Sequence, residues 1–486
     1  MTIRAFLFAV LIVVTAAPRA QTLPDLGDAA SASLSETQER TIGNRIMREV
    51  RVDPAYVDDP EVNDYVNALG QRLLLAADPP PRTMDFFAVQ DDSINAFAMP
   101  GGHIGVHTGL ITLTQNESEL AGVMAHEISH ILQRHAARMA HGQRGAQLTS
   151  LAALALAMLA SRGGGNQSGQ VTEAAIASAG ALSIQNQLDY TREHEREADR
   201  VGLTLLDRAG FDTRGMASFF ERLLRSNRLN EFQGAPSYLR THPLTTERIA
   251  AIQDRIQQLP SHLVPDSFEY RITRAKLRAT AGSGSEAVSL FRTMLEDKTV
   301  VRPREDVYGL AFALRRTRDF EGAWKTLEPL RKGASYPSFE LLAAQLAADM
   351  GRGDESIAIY RAAIRNYGNY RALLYPYFDQ LVQMGRDKEA VAELDERLRA
   401  LPEDWHLYDI QARAYEHLGR TTAQHRALAE SYFRKGNLSA AVDQLEIAVK
   451  SKGSDFYEVS SAESRLRELR AQLEIQKAAE KALNIS

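Results

Sequence analysis

The first 265 residues alternate between helical and strand-like patterns of apolar positions. Residues 35–51 and 59–77 carry apolar side chains three and four residues apart, which predicts two amphipathic helices. A run of prolines at 79–81 then stops helix formation. Residues 84–113 are β-like, and the alternating apolar residues within 103–107 predict a strand that follows a Pro-Gly-Gly turn. This order of segments predicts a small sheet packed with helices.

Two longer helices are predicted further along this part of the chain. One spans residues 117–140, with Asn116 as its N-cap. The other spans residues 190–209 and ends at Gly210. Between them, residues 148–160 are rich in alanine and leucine but too few to cross a bilayer. We interpret that segment as a buried or cavity-covering helix, and contact with a membrane surface stays open.

Beyond about residue 265 the pattern becomes a series of helices with a visible period. The pairs Gly351-Arg352, Gly385-Arg386 and Gly419-Arg420 recur at 34 residues, each between two helical segments. A helix–turn–helix unit of that length resembles the tetratricopeptide (TPR) repeat, which stacks into an α-solenoid with a concave binding face. Gly436 follows Gly419 by 17 residues, so the last units are expected to be irregular. A plain helical bundle is the alternative, and in either case the chain is mainly α.

The amino terminus and the composition point to an exported protein. Arg4, an apolar run over 5–14 and then small residues have the layout of a secretory signal, cleaved after Ala17 or Ala20. An uncleaved membrane anchor is the alternative. The chain has no cysteine, which excludes disulfides and thiolate metal sites and suits a bacterial periplasm. A net charge of −5 argues against nucleic acid as the main partner.

The strongest chemical signal is the motif His126-Glu127-Ile128-Ser129-His130. Residues four apart share one face of a helix, so the two imidazoles can bind one ion, with Glu127 at the edge of the same site. Zinc suits this motif because it takes imidazole nitrogens tetrahedrally and leaves one position for water. Glu127 can take a proton from that water and deliver it to the leaving amine. An exposed helix with incidental histidines is the alternative, but the flanking apolar residues indicate a half-buried helix.

A catalytic zinc site needs a third protein ligand, and the helix predicted over 190–209 is its best source. Glu195 and Asp199 share a face of that helix. Glu195 can therefore bind zinc while Asp199 orients a ligand histidine through its free ring nitrogen. His194 is the main rival and Glu193 a weaker one, and spacing alone leaves the choice open.

Taken together, these motifs resemble a known family. HEISH, the EREAD motif at 195–199 and NAFAMPGG at 95–102 are similar to zinc metallopeptidases related to HtpX and the CAAX prenyl proteases. With the signal sequence and the repeats, the chain resembles the periplasmic beta-barrel assembly-enhancing protease group of Gram-negative bacteria. The resemblance implies a signal peptide at 1–20, a zincin-like α+β metallopeptidase domain at 21–264 and a TPR domain at 265–486.

The resemblance also assigns residues to the site. It implies one zinc ion per chain, bound by His126, His130 and Glu195. Glu127 matches the general base, and Asp199 matches a carboxylate that supports a ligand. Because these ligands complete the site, the other nearby histidines are interpreted as non-ligands, namely His103, His107, His135 and His141.

Three further features follow from the same resemblance. His242, before Pro243, matches a histidine that approaches the metal in the family, and Arg248 follows it; both are assigned to catalysis. His242 would stabilise the oxyanion or occupy the fourth zinc position in a latent state, although sequence alone favours a surface turn. A substrate-binding strand is also implied, with sheet core as the alternative; its residues are Asn95, Ala96, Phe97 and Ala98.

These observations predict a periplasmic zinc endopeptidase for the quality control and assembly of outer-membrane β-barrel proteins. The TPR domain would bind unfolded or misassembled barrel proteins, or the machinery that assembles them. The second hypothesis is a chaperone or adaptor module whose proteolysis is latent or secondary. Membrane contact is expected to be peripheral at most, and no nucleic acid is expected as a partner.

Overall fold

The structure is a computed structural model of the 486-residue chain. It describes residues 34–80, 84–142, 192–229, 237–260, 263–296, 303–333, 335–451 and 456–483. The predicted signal peptide and the segment 148–160 lie outside the described residues, so both interpretations stay predictions. Among the helices that are described, none is long and apolar enough to cross a membrane.

A three-stranded sheet surrounded by helices forms the first part of the described chain. The strand order is β1-β3-β2, with β3 parallel to β1 and antiparallel to β2, so β2 is an edge strand. The elements are α1 (Glu36–Val50), α2 (Pro60–Leu75), β1 (Asp85–Val89), β2 (Ala96–Met99), β3 (His103–His107), α3 (Thr108–Leu113), α4 (Glu117–Leu132), α5 (His135–Gly142), α6 (Arg192–Arg208), α7 (Arg214–Leu229), α8 (Ser237–Thr241) and α9 (Thr246–Ile256).

The helix starts predicted from the sequence are confirmed by their caps. The Ser35 and Gln38 side chains form a capping box at the start of α1. The Asp59 side chain accepts hydrogen bonds from two backbone amides of α2, and Asn116 accepts one from the amide of Glu119 in α4. These side chains satisfy amide groups that a helix amino terminus leaves without partners.

The prediction of β structure through residue 113 was wrong at its end. β3 ends at His107, because neither β1 nor β2 extends further to pair with it. The chain then turns into α3, and Gly109 packs so tightly that an added Cβ would lie 2.2 Å from the carbonyl oxygen of Asp92. Without a strand partner, the apolar residues that follow are buried by a helical turn instead.

The single helix predicted over 117–140 is also wrong, because it breaks into α4 and α5. Arg134 adopts a φ of 51° between them, in the left-handed region. Its guanidinium donates a 2.6 Å hydrogen bond to the carbonyl of Leu34 and lies 3.5 Å from Glu39. These contacts stabilise the break between the two helices. The break places His135 beside His130 of α4.

The helix that carries the HEISH motif lies at the centre of this part of the fold. Every residue from Glu117 to His130 is buried, so α4 is enclosed by its neighbours instead of lying at the surface. Helix α6 approaches it at Gly202, where an added Cβ would lie 3.1 Å from the backbone of Ala125 and His126. This close packing brings the EREAD motif of α6 against the histidines of α4.

The remainder of the described chain is the predicted series of helix pairs, and the mainly α fold with a small sheet is confirmed. Gly351, Gly385 and Gly419 have φ values of 75°, 71° and 67° and connect the two helices of successive pairs. Gly436, with a φ of 81°, lies between pairs, which explains its offset of 17 residues. The helices are α10 (Phe268–Thr280), α11 (Gly284–Glu296), α12 (Arg304–Arg316), α13 (Phe320–Gly333), α14 (Pro337–Asp349), α15 (Gly353–Tyr367), α16 (Arg371–Gln383), α17 (Asp387–Ala400), α18 (Trp405–His417), α19 (Thr421–Arg434), α20 (Leu438–Lys450) and α21 (Phe456–Ala482).

The repeats pack against the sheet-containing part through α10 and α21. Tyr270 and Leu277 of α10 belong to the core around α4, whereas Ile272 and Ala275 of the same helix belong to the core of the repeats. At the other end, Glu480 of α21 forms a 2.7 Å ion pair with Arg48 of α1. Helix α10 is therefore shared by two cores, and a domain boundary at 264/265 stays a prediction.

Candidate metal centre

Four buried side chains converge between α4, α6 and the segment after α8. His126, His130, Glu195 and His242 each offer one ligand atom, and these atoms all lie within 4.8 Å of one another. Their exposed fractions are between 0% and 2%. Three of the four are the residues that the sequence motifs nominate as zinc ligands, and the fourth is the histidine of the His-Pro segment.

The distances in this cluster are short enough for one metal ion to bind all four side chains. The Nε2 atoms of His126 and His130 are 3.0 Å apart, and each lies 3.4 Å from a carboxylate oxygen of Glu195. The Nδ1 atom of His242 lies 3.4 Å from the His126 Nε2 and 3.0 Å from Glu195 Oε1. Zinc bonds of about 2.0–2.2 Å in a tetrahedron place neighbouring ligand atoms about 3.4 Å apart. The donor set of three imidazoles and one carboxylate is also one that zinc accepts.

The rivals for the third ligand position lie elsewhere. The ring of His194 stacks on that of His135, with centroids 4.4 Å apart and an interplanar angle of 20°. Glu193 is exposed on the surface of α6. The structure therefore brings Glu195, and neither of these two neighbours, to the two histidines of α4.

Two buried groups of opposite charge lie behind the ligands. Asp199 places a carboxylate oxygen 3.0 Å from the Nδ1 atom of His126, which leaves the Nε2 atom of that ring facing the cluster. Arg248 donates two 2.7 Å hydrogen bonds to Asp199, and its Nη1 atom lies 2.8 Å from Glu195 Oε2. Burial raises the pKa of Asp199, but the hydrogen bonds from His126 and Arg248 outweigh it and hold that pKa below its ordinary value. Asp199 is thus an anion beside the His126 ring, and Arg248 contacts the carboxylates of both Asp199 and Glu195.

Glu127 has the environment of a proton acceptor. It is fully buried, and neither carboxylate oxygen makes a hydrogen bond of good geometry to a described residue. Its Oε1 atom lies 3.5 Å from His242 Nε2. Burial raises the pKa of Glu127, and the charges of His242 and His126 oppose this only in part. A raised pKa makes the carboxylate a stronger base at neutral pH.

The predicted substrate strand is the edge of the sheet that faces Glu127. The carbonyl of Asn95 accepts a 3.0 Å hydrogen bond from His107 of β3. Because backbone groups alternate in direction along a strand, Ala96 and Ala98 direct theirs to the opposite edge, which pairs with none of the described strands. The amide of Ala98 lies close enough to Glu127 to lower the pKa of that carboxylate. The edge is therefore next to the candidate base.

His242 is buried at the site, contrary to the surface turn that sequence alone favours. Helix α8 places Tyr238 and Leu239 in the core, and the amide of Tyr238 donates a 3.1 Å hydrogen bond to the carbonyl of Ile94. The Tyr238 ring then stacks on the His242 imidazole at a centroid distance of 4.7 Å. Tyr238, which the sequence did not single out, therefore positions His242 between Glu127 and the other three members of the cluster.

The remaining histidines near the motif lie outside the group of four. His103 and His107 are buried in β3, and the Nδ1 atom of His107 lies 2.9 Å from the Ser93 hydroxyl. His135 contacts His130 on the side of the ring that faces away from the cluster. The side chain of His141 lies outside the described residues.

Comparison with known proteins agrees with this arrangement. The profile of peptidase family M48 matches residues 60–256, which include all four members of the cluster. The beta-barrel assembly-enhancing protease of Escherichia coli (strain K12) is 32% identical over 459 residues, which cover 93% of this chain and 92% of that protein. The protein of the same name from Yersinia pestis is 32% identical over 460 residues, with the same two coverages of 93% and 92%. The metalloprotease LoiP of Escherichia coli is 28% identical over 231 residues, 46% of this chain and 82% of that protein. The chain therefore belongs to the family of beta-barrel assembly-enhancing proteases, within peptidase family M48, and is a metalloendopeptidase.

Proposed function

We propose that this protein is a zinc endopeptidase of the bacterial periplasm that acts in the assembly and quality control of outer-membrane β-barrel proteins. The observation that carries the proposal is the convergence of His126, His130, Glu195 and His242 beside the buried carboxylate of Glu127, whose pKa is raised. The substrate class rests on the names of the two relatives that match over 93% of this chain. The cysteine-free sequence and the signal-like amino terminus support the periplasmic location.

In the proposed mechanism, His126, His130 and Glu195 hold the zinc ion. When bound there, zinc supplies Lewis acidity that polarises a peptide carbonyl and acidifies a water molecule. Glu127 accepts the proton of the attacking water and delivers it to the nitrogen of the leaving amine. Asp199 and Arg248 keep the ligands in place from behind, so Arg248 acts in this proposal through Glu195 and Asp199.

An extended substrate would pair with the edge of β2 that does not pair with β3. Ala96 and Ala98 present backbone groups along that edge, and strand addition of this kind uses main-chain hydrogen bonds that do not depend on the substrate sequence. Pairing there would bring a peptide bond past Glu127 and the cluster. This proposal gives Asn95 and Phe97 the task of holding β2 on β3, because their backbone groups face the sheet.

Metal content and casein cleavage of the purified protein test the proposal together. We expect one zinc ion per chain, casein cleavage that a chelator abolishes, and recovery when zinc is added back. Protein that binds no zinc, or that cleaves casein equally well after the metal is removed, would contradict the assignment.

A latent protease with a binding role is the second candidate, and the position of His242 favours it. The Nδ1 atom of His242 lies 3.4 Å from His126 Nε2 and 3.0 Å from Glu195 Oε1, so His242 would be a fourth protein ligand of a zinc ion bound there, and a catalytic zinc site keeps a water molecule in that position. The Nε2 atom of the same ring faces Glu127. In this arrangement the His242 ring lies between Glu127 and the other three members of the group. In the latent state the repeats would bind client proteins or the assembly machinery, and cleavage would begin when His242 moves away.

Replacing His242 by Ala is expected to raise basal casein cleavage if His242 holds the latent state. A closed state favoured by about 1.4 kcal/mol predicts a rise of about tenfold. Thr241→Ala is the matched control, because within the described part of the chain the Thr241 hydroxyl donates only to backbone carbonyls of its own helix, at 3.2 Å and 3.5 Å. Initial rates of casein cleavage at equal zinc content decide the point. Unchanged or lower turnover in the His242 variant would mean that His242 has a catalytic role or no role in cleavage.

A further inference from the structure

A chain of hydrogen bonds runs from His130 away from the candidate metal site. The Nδ1 atom of His130 lies 2.9 Å from the Nδ1 atom of His135. The Nε2 atom of His135 lies 3.1 Å from Glu197 Oε2. His130 and His135 are both buried, with exposed fractions of 2% and 0%, so water does not replace these contacts. His135 was expected only to be a non-ligand, and Glu197 is the middle residue of the EREAD motif.

For a neutral His135, the chemistry of the three groups fixes the direction of every bond in this chain. The Glu197 carboxylate can only accept, so His135 donates to it through Nε2–H. A neutral imidazole carries a single N–H, and the Nδ1 atom of His135 therefore accepts. The partner of that atom is the Nδ1 atom of His130, which must carry the hydrogen. The Nε2 atom of His130 is then left with the lone pair that faces the ligand cluster.

The opposite direction would prevent His130 from binding a metal. If His135 carried its hydrogen on Nδ1, it would donate to His130 and place the His130 hydrogen on Nε2. A nitrogen that bears a hydrogen cannot be a metal ligand. Glu197 excludes this tautomer because it requires a donor at His135 Nε2.

Neighbouring side chains also contact His135 and Glu197. Arg138 donates a 2.7 Å hydrogen bond to Glu197 Oε2, the oxygen that also contacts His135. The His194 ring stacks on His135, and the break at Arg134 returns His135 to the side of α4. His135 and Glu197 therefore have a fixed geometry, and the proposed mechanism gives neither residue another role.

We propose that His135 and Glu197 are positioning residues that fix His130 in its metal-binding tautomer. The inference rests on the proposed role of His130 as a zinc ligand. It gives each ligand histidine a carboxylate of its own from α6, since Asp199 holds His126 directly and Glu197 holds His130 through His135. The alternative is that Glu197 serves only as an ion-pair partner, at 2.7 Å from Arg138 and 3.8 Å from Arg200.

The test measures zinc affinity by competition with a chromogenic chelator, and the visible spectrum of the cobalt-substituted protein. Glu197→Leu removes the acceptor and is expected to weaken zinc binding about 10–100-fold and to change the cobalt spectrum. Glu197→Gln can still accept from His135 through its amide oxygen, so it is expected to restore most of the affinity. Arg138→Gln removes the ion pair with Glu197 but keeps the hydrogen bonds that run from His130 through His135 to Glu197. The zinc affinity of this variant is expected to stay near that of the wild type.

Wild-type affinity in Glu197→Leu would overturn the inference while leaving the proposed function intact. An equal loss in Arg138→Gln would overturn it too, because the ion pair would then explain the effect. If Glu197→Leu does not fold, His135→Phe serves in its place, since it keeps a ring against His194 but removes the acceptor for His130; wild-type zinc affinity in that variant would again overturn the inference. A wild-type protein that binds no zinc would instead contradict the proposed function itself.

Discussion

Replacing Glu127 by Gln is expected to leave one zinc ion bound and to lower casein cleavage by about 10²–10⁴-fold. Glutamine has the shape of glutamate but cannot accept a proton from the attacking water. Glu127 lies outside the group of ligand atoms, and its Oε1 atom contacts His242 at 3.5 Å, so metal binding does not depend on its charge. The kcat/KM for casein and the zinc content, measured on the same preparation, check both halves of the expectation.

The same substitution at Glu193 is the control for Glu127→Gln. Glu193 is an exposed glutamate on α6, two residues before Glu195, and its replacement is expected to leave activity and zinc content unchanged. A Glu127 variant that keeps activity close to that of this control would show that another group acts as the base. In cells, a Glu127 variant that still supports envelope integrity would favour the binding role over the proteolytic one.

The parts of the site that lie on helices could be predicted from the sequence. Residues four apart must share a face once the helix forms, so His126 with His130, and Glu195 with Asp199, follow from spacing alone. Spacing could not choose between Glu195 and its neighbour His194, because the choice depends on how α6 rotates against α4. That rotation is fixed by the close approach at Gly202, which is a tertiary contact.

His242 and His135 show where sequence reasoning stops. His242 lies in a short polar segment that is typical of a surface turn, and only the packing of Tyr238 beneath it brings it into the site. The sequence around His135 reads as continuous helix, since it has no glycine or proline to mark the break. The break depends on contacts of Arg134 with Leu34 and Glu39, which are about 100 residues away along the chain. In the repeats, by contrast, local glycines with positive φ mark the helix turns, so their period was visible.

Replacing Lys276 by Met is expected to lower the free energy of unfolding by about 3–5 kcal/mol. The Nζ atom of Lys276 lies 2.6 Å from carboxylate oxygens of both Asp59 and Glu61, and only 6% of the lysine is exposed. Methionine fills a similar volume, but Glu61 would remain buried without a cation beside it. Among the described residues its carboxylate would keep a 3.2 Å hydrogen bond from the Tyr370 hydroxyl. Because this pair joins α10 to α2, the loss should also loosen the repeats from the peptidase region. Thermal unfolding and limited proteolysis measure the two effects.

Lys332→Met is the matched control, because it removes an ion pair of the same kind from the surface. Lys332 lies 2.8 Å from Glu328 one helical turn away, with 76% of its side chain exposed, and exposed pairs contribute only about 0–1 kcal/mol. Adding Glu61→Gln to the Lys276 variant removes the stranded charge and should recover part of the lost stability. Equal melting temperatures for the Lys276 and Lys332 variants would mean that Asp59 and Glu61 reach solvent when the lysine is absent. The repeats would then be held on the peptidase region by their other contacts, among them the apolar contacts of Tyr270 and Leu277 and the ion pair of Glu480 with Arg48.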